Sequence, residues 1–154
     1  MTRQELQQVF PVLEKIYKLI GKTDEDKKDD KKQKSAFQRQ VDLIPAWREL
    51  KQTHDEIEEK RQELGTQLNE EKKKLDEEFK DSKTGEVSDK NPKYIQKFND
   101  IQGKYNQEFN NWLAADIGKV GKSLKFTQDE VWNAWKEGRV ENTEIALIWE
   151  GFIR

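Results

Sequence analysis

Cysteine is absent from the sequence, and histidine occurs only once, as His54. Without cysteine the chain forms neither a disulfide bond nor a thiolate metal site, and a single histidine excludes a site built from several imidazoles. No stretch approaches the roughly 20 apolar residues that a membrane-spanning helix needs, and the N-terminus lacks the apolar core of a signal peptide. We therefore expect no metal centre and no membrane association, and we place the protein in the cytoplasm.

Apolar residues are also few, and neither positive nor negative charge is in marked excess. Hydrophobic residues make up 32% of the 154 residues and charged residues 39%, against about 25% charged in an ordinary globular domain. Such a composition suits long, solvated helices that each bury one narrow stripe. The 29 basic and 31 acidic residues nearly cancel, so no net field attracts a nucleic acid or an anionic membrane. Nucleic-acid binding is therefore disfavoured.

What the sequence does contain is a pair of long amphipathic patterns on either side of Gly85. In both patterns apolar residues recur at alternating spacings of three and four, as in coiled coils. Their apolar positions also pair at a constant sum of residue numbers, which two antiparallel helices joined by one turn require. The pairs, each summing to 173, are Phe79 with Tyr94, Leu75 with Phe98, Leu68 with Tyr105 and Leu64 with Phe109. We predict an all-α fold built on a long, coiled-coil-like helical hairpin over residues 36–117, with its turn near 81–91.

The segments before the hairpin differ sharply in composition. Thr2 followed by Glu5 forms a capping-box pattern and starts a periodic apolar stripe, which predicts a short N-terminal helix over residues 1–21. The next segment is rich in lysine and aspartate and lacks the apolar side chains that would repay the entropy of ordering it. We interpret residues 22–35 as a charged linker.

Residues 118–154 are predicted to form a small, aromatic-rich helical subdomain. Thr127 and Glu130 make a second capping box that starts a short helix, and Asn142 or Thr143 is expected to cap the last helix. Tryptophan is enriched among the residues that contribute most to binding at protein interfaces. The candidate partner-binding residues are Trp132, Trp135, Trp149 and Phe152. The sequence leaves open whether these side chains form an internal core or a binding surface.

Three short patterns are similar to ligand-binding or catalytic motifs, but each lacks a required feature. In the GKVGKS segment, the phosphate-loop pattern needs a glycine at the position of Asp116. In the hairpin turn, aligning Gly85 with the glycine of a calcium loop places Lys80 at the first ligand position. His54 and Asp55 are neighbours in sequence and point to different faces of a helix. We assign no catalytic, cofactor-binding or metal-binding residues and expect a protein that is not an enzyme.

The order of these elements resembles small helical-hairpin proteins of tailed bacteriophages that have no assigned function. The likeness lies in a short leading helix, a charged hairpin with a D-x-K-x-G-E turn, a Leu-x-Phe segment and a Trp-x-x-Phe-Ile ending. The residues concerned are Asp81, Lys83, Gly85, Glu86, Leu124, Phe126, Trp149, Phe152 and Ile153. The resemblance implies an accessory protein made in an infected bacterium, and it implies no site residues.

From these patterns we expect a non-enzymatic protein–protein interaction protein, acting as a phage accessory, virion or assembly component bound to a phage structural protein. A host-takeover or anti-defence inhibitor that binds a bacterial protein complex is an alternative, and a helical nucleic-acid-binding protein is a third, disfavoured by the charge balance. The expected location is the host cytoplasm or the virion. A homo-oligomer stays open, because a two-helix seam leaves apolar residues such as Ile95 and Trp47 to be covered.

Overall fold

A computed structural model describes residues 1–20 and 30–154, which form five α-helices. These are α1 (Arg3–Leu19), α2 (Asp30–Glu78), α3 (Pro92–Ala114), α4 (Gln128–Lys136) and α5 (Asn142–Phe152). The described chain divides into a terminal unit, Met1–Asp55 with Asp116–Arg154, and a hairpin unit, Glu56–Ala115, and α2 contributes to both. None of the helices within the described ranges combines the length and the hydropathy needed to span a bilayer. The predicted all-α fold is confirmed.

The hairpin unit confirms the predicted antiparallel pairing of α2 with α3. The ring of Phe79 meets the ring of Tyr94 edge-on, with the ring centroids 5.7 Å apart, and this is one of the predicted pairs. Ion pairs between the two helices are Glu78–Lys97 at 2.5 Å, Glu71–Lys104 at 4.0 Å and Lys60–Glu108 at 3.8 Å. The buried residues of this unit are Ile57, Leu64, Leu75, Tyr94, Tyr105 and Leu113. The unit thus buries one narrow stripe, as its composition predicts.

The turn at the tip of the hairpin is held by local hydrogen bonds rather than by a core. The Asp81 carboxylate accepts hydrogen bonds from the backbone N–H groups of Lys83 at 2.7 Å and Thr84 at 3.2 Å. These bonds stabilise the charged carboxylate and hold the pKa of Asp81 below its ordinary value. Gly85 has a φ of +71°, a conformation that glycine adopts without a Cβ penalty. The turn chemistry therefore suits the residues that the sequence places there.

The start of α2 differs from the sequence-based expectation. The helix begins at Asp30, so residues 30–35, which we predicted as linker, are helical, while residues 22–29 lie outside the described residues. Lysine, glutamine and alanine are good helix formers, so the helix can begin before the first residue of its apolar stripe. Pro45 lies inside α2 and does not end it. The predicted end of the first helix at Gly21 also falls outside the described residues, and α1 ends at Leu19.

A column of four aromatic rings joins α1 to the first part of α2 in the terminal unit. Tyr17 stacks on Trp47 with centroids 4.4 Å apart, Trp47 stacks on Phe10 at 5.2 Å, and Phe10 stacks on His54 at 3.9 Å. Phe10 and Tyr17 are seven residues apart, as are Trp47 and His54, so each helix presents its two rings on one face. The single histidine therefore packs within the contact between two helices.

The C-terminus is anchored beside the segment that precedes α4. The backbone N–H of Phe126 donates to the carbonyl of Phe152 at 2.7 Å, and the Phe126 carbonyl accepts from the N–H of Arg154 at 3.0 Å. The side chains of Leu124 and Phe126 are completely buried, and α1 contacts both α4 and α5. This core fixes the last two helices against the first.

Tyr94 connects the two helices of the hairpin by a hydrogen bond that responds to pH. Its hydroxyl donates to Asp76 Oδ1 at 2.5 Å, and this bond, aided by burial, raises the pKa of Tyr94 above its ordinary value of 10.0. The folded chain thus holds the phenol proton more tightly than the unfolded chain does. The resulting stability is complete below pH 10.0 and is lost as the pH rises through the higher pKa of the folded state.

We expect Tyr94→Phe to lower the free energy of unfolding by about 1–2 kcal/mol at neutral pH, because the charged acceptor loses its donor. Above the ordinary tyrosine pKa the wild-type chain should lose more stability than the variant, so the difference between them should shrink. Urea unfolding followed by circular dichroism across this pH range measures both effects. An unchanged difference at high pH would contradict the assigned role of the Tyr94–Asp76 bond.

Candidate partner-binding surface

The helix α4 begins at the capping box that the sequence predicts. The Thr127 hydroxyl accepts a hydrogen bond from the backbone N–H of Glu130 at 3.2 Å, and the Glu130 carboxylate accepts from the N–H of Thr127 at 2.8 Å. Within this helix Val131 and Ala134 are buried. The tryptophans of the same helix consequently point away from the core.

An ion pair that the sequence does not reveal fixes α4 to α2. Arg39 donates from Nε to Glu130 Oε1 at 2.6 Å and from Nη2 to Glu130 Oε2 at 3.1 Å, and its Nη2 also donates to the carbonyl of Lys125 at 2.6 Å. The hydrogen bond to Glu130 is the main cause that raises the pKa of Arg39. Both side chains are largely shielded from solvent, and paired donation of this kind is stronger than a simple surface ion pair.

The helix α5 starts earlier than either predicted cap. Its N-cap is Glu141, and neither Asn142 nor Thr143 caps it, since the Glu144 carboxylate accepts from the N–H of Glu141 at 2.9 Å. Glu144 also forms an ion pair of 2.5 Å with Lys15 of α1, and the hydrogen bond from Lys15 is the main cause that lowers the pKa of Glu144. A glutamate three residues into the helix thus serves both as a cap and as a tie to α1.

Three of the four predicted partner-binding residues lie at the surface. The side chains of Trp132, Trp135 and Trp149 are 58%, 41% and 50% exposed, whereas Phe152 is only 7% exposed. Trp132 and Trp135 stack on each other with ring centroids 4.9 Å apart and ring planes at 29°. Phe152 belongs to the core that supports this surface. The structure thereby divides a set that the sequence treats as one cluster.

The exposed tryptophans border a groove between α4 and α5, which we name the tryptophan groove. Its volume is about 430 Å³. Its lining residues are Gln128, Asp129, Val131, Trp132, Trp135, Asn142, Ile145 and Trp149. Among them Asp129 carries the only charge, and the other polar groups are two side-chain amides and the N–H groups of the three indoles. An apolar concave surface with a few polar groups is the usual form of a binding site.

The glycine-rich segment after α3 has a structural role. The Asp116 carboxylate accepts from the backbone N–H of Gly118 at 2.8 Å and from the Met1 ammonium at 3.3 Å, and these partners lower its pKa. Gly121 lies against Leu50 with no room for a side chain. In a phosphate loop, backbone N–H groups donate to the bound phosphate, whereas here the N–H of Gly118 donates to the Asp116 carboxylate.

Among residues 1–20 and 30–154, no group of three or more histidine, aspartate or glutamate side chains is placed to hold a metal ion. The tryptophan groove is the candidate site because three exposed tryptophans border it. In the comparisons with known proteins, the chain matches no protein-family model, no curated protein and no solved structure.

Proposed function

We propose that this chain is a non-enzymatic protein that binds another protein through the tryptophan groove. The observation that carries the proposal is the exposure of Trp132, Trp135 and Trp149 around one groove. Removing large aromatic side chains from water lowers the free energy of a complex. Tryptophan is also prominent among the residues that contribute most to binding.

The supporting contacts favour binding because they hold the groove in one shape. Arg39 ties the start of α4 to α2, and Lys15 ties the start of α5 to α1. Below the surface, Ile148 and Phe152 anchor α5 in the core. A groove that is already ordered loses little conformational entropy when a partner binds, so more of the contact free energy appears as affinity.

We further propose that the protein is a phage accessory, virion or assembly component whose partner is a phage structural protein. The support for this step is the resemblance in the order of elements and in the turn, Leu-x-Phe and Trp-x-x-Phe-Ile patterns. The identity of the partner distinguishes this role from that of an inhibitor of a bacterial complex. A virion component co-purifies with phage particles, whereas a host-takeover factor is absent from them and binds a host assembly.

The test is affinity purification of the tagged full chain from its native host, with quantitative mass spectrometry of the bound proteins. We expect the combined change Trp132→Ala and Trp149→Ala to reduce capture of the specific partner at least tenfold, since hot-spot residues contribute about 2 kcal/mol or more each. Phe37→Ala is the matched control, because Phe37 is 66% exposed and does not line the groove. Full capture by the double variant, with an unchanged circular dichroism spectrum, would refute the proposal.

A further inference from the structure

We infer that the tryptophan groove binds an arginine side chain presented by an otherwise apolar segment of the partner. This inference rests on the proposed function and adds the chemistry of the segment that binds. The groove supplies three indole rings and one carboxylate, Asp129, and its lining contains no basic side chain. Aromatic faces attract cations, and tryptophan does so most strongly.

The charge of Asp129 lacks a counter-ion within the described part of the chain. The neighbouring carboxylates do have partners: Glu130 pairs with Arg39, and Glu144 pairs with Lys15. Asp129 is exposed, and its carboxylate forms no ion pair or hydrogen bond with any described residue. A partner that covers the apolar groove would also take this carboxylate out of water, and a buried charge without a partner is costly. The occupant should therefore bring a positive charge to this carboxylate.

Arginine fits this combination better than lysine. A guanidinium group is planar, so it can stack on an indole face while its N–H groups donate in pairs to a carboxylate. A lysine ammonium is a compact, strongly hydrated charge that cannot stack in this way. Trp132 and Trp135 already lie ring against ring at 4.9 Å, which leaves no space for a group between them. The guanidinium is therefore expected against the open ring faces beside Asp129.

Other occupants fit the groove less well. An acidic segment would place its charge next to Asp129, and a purely apolar segment would cover the carboxylate without neutralising it. The volume of about 430 Å³ accommodates a few side chains, which suits a short peptide segment. A second copy of this chain is another possible occupant, and a test for dimerisation distinguishes it from an arginine-bearing partner.

The experiment titrates the full chain with two acetylated and amidated peptides, Gly-Leu-Arg-Leu-Gly and the same peptide with citrulline in place of arginine. Citrulline has nearly the same shape but no charge. The indole N–H resonances of the five tryptophans report where each peptide binds. We expect the arginine peptide to shift Trp132, Trp135 and Trp149, to leave the buried Trp47 unchanged, and to bind roughly fivefold more tightly than the citrulline peptide.

Asp129→Asn should abolish this preference, so that both peptides bind with the affinity of the citrulline peptide. Glu150→Gln is the matched control, because Glu150 is an exposed carboxylate on α5 that does not line the groove, and it should retain the preference. Both positions are at the surface, so neither change removes a core contact.

Equal affinity for the two peptides at the tryptophans would overturn the arginine inference and leave the proposed function standing. Absence of binding by both peptides would overturn it too, while partner capture judges the proposed function separately. Analytical ultracentrifugation tests whether a second copy occupies the groove. Concentration-dependent dimerisation that Trp149→Ala abolishes would overturn the arginine inference in favour of a second copy.

Discussion

Gly121→Ala is expected to lower the free energy of unfolding by about 2–4 kcal/mol, combining backbone strain with overpacking. Gly121 has a φ of +71°, which disfavours any residue with a Cβ. An added Cβ would overlap Leu50 Cδ1 and would lie 3.0 Å from Leu50 Cγ. Leu50 is completely buried, so it cannot move aside without disturbing its own contacts.

Gly118→Ala is the matched control for this change. Gly118 has a similar φ of +67°, but a Cβ there would meet nothing within 4 Å. The control should therefore show the backbone strain alone, about 1 kcal/mol. Urea unfolding followed by circular dichroism measures both variants. Equal losses for Gly118→Ala and Gly121→Ala would contradict the close contact with Leu50.

Phe126→Ala is expected to lower the free energy of unfolding by about 3–5 kcal/mol, the usual cost of emptying a large buried site. Phe126 is completely buried, and its backbone pairs with Phe152 and Arg154, so the surrounding chain cannot easily collapse into the space. Since domains are typically stable by about 5–15 kcal/mol, this loss is a large share of the total. The variant should melt at a much lower temperature.

Phe37→Ala serves as the control, because Phe37 is 66% exposed and its removal leaves no cavity. We expect a change within about 0.5 kcal/mol for this surface substitution. Thermal unfolding of both variants, followed by circular dichroism and tryptophan fluorescence, makes the comparison. Similar melting temperatures for the two variants would show that Phe126 does not hold the terminal unit together.

Residue spacings and capping patterns in the sequence predicted the architecture well. The heptad-like spacing on either side of Gly85 predicted the antiparallel pairing, and the contact of Phe79 with Tyr94 confirms one of the four predicted pairs. Capping boxes were equally informative, because the hydrogen bonds of Thr127 and Glu130 are set within one turn of helix. The start of α2 was placed too late, since the helix begins before its apolar stripe does.

The candidate surface was only partly predictable. The sequence marked the four aromatic residues near the C-terminus, yet it could not separate the buried Phe152 from the exposed tryptophans. That separation depends on which side of α4 and α5 faces α1, and the apolar residues of α5 occur on most of its sides. The Arg39–Glu130 pair was missed as well, because its members are 91 positions apart and no local pattern links them.

The sequence by itself determined the helices, their caps and the antiparallel hairpin, because these features depend on contacts between near neighbours or on a regular repeat. Only the tertiary structure decided that Gly121 lies against Leu50, that rings from two helices stack in a column, and that three tryptophans border one groove. Each of these depends on how separate helices are rotated and placed against one another. Such placement follows from the shapes of all the contacting side chains together, and no single stretch of the chain encodes it.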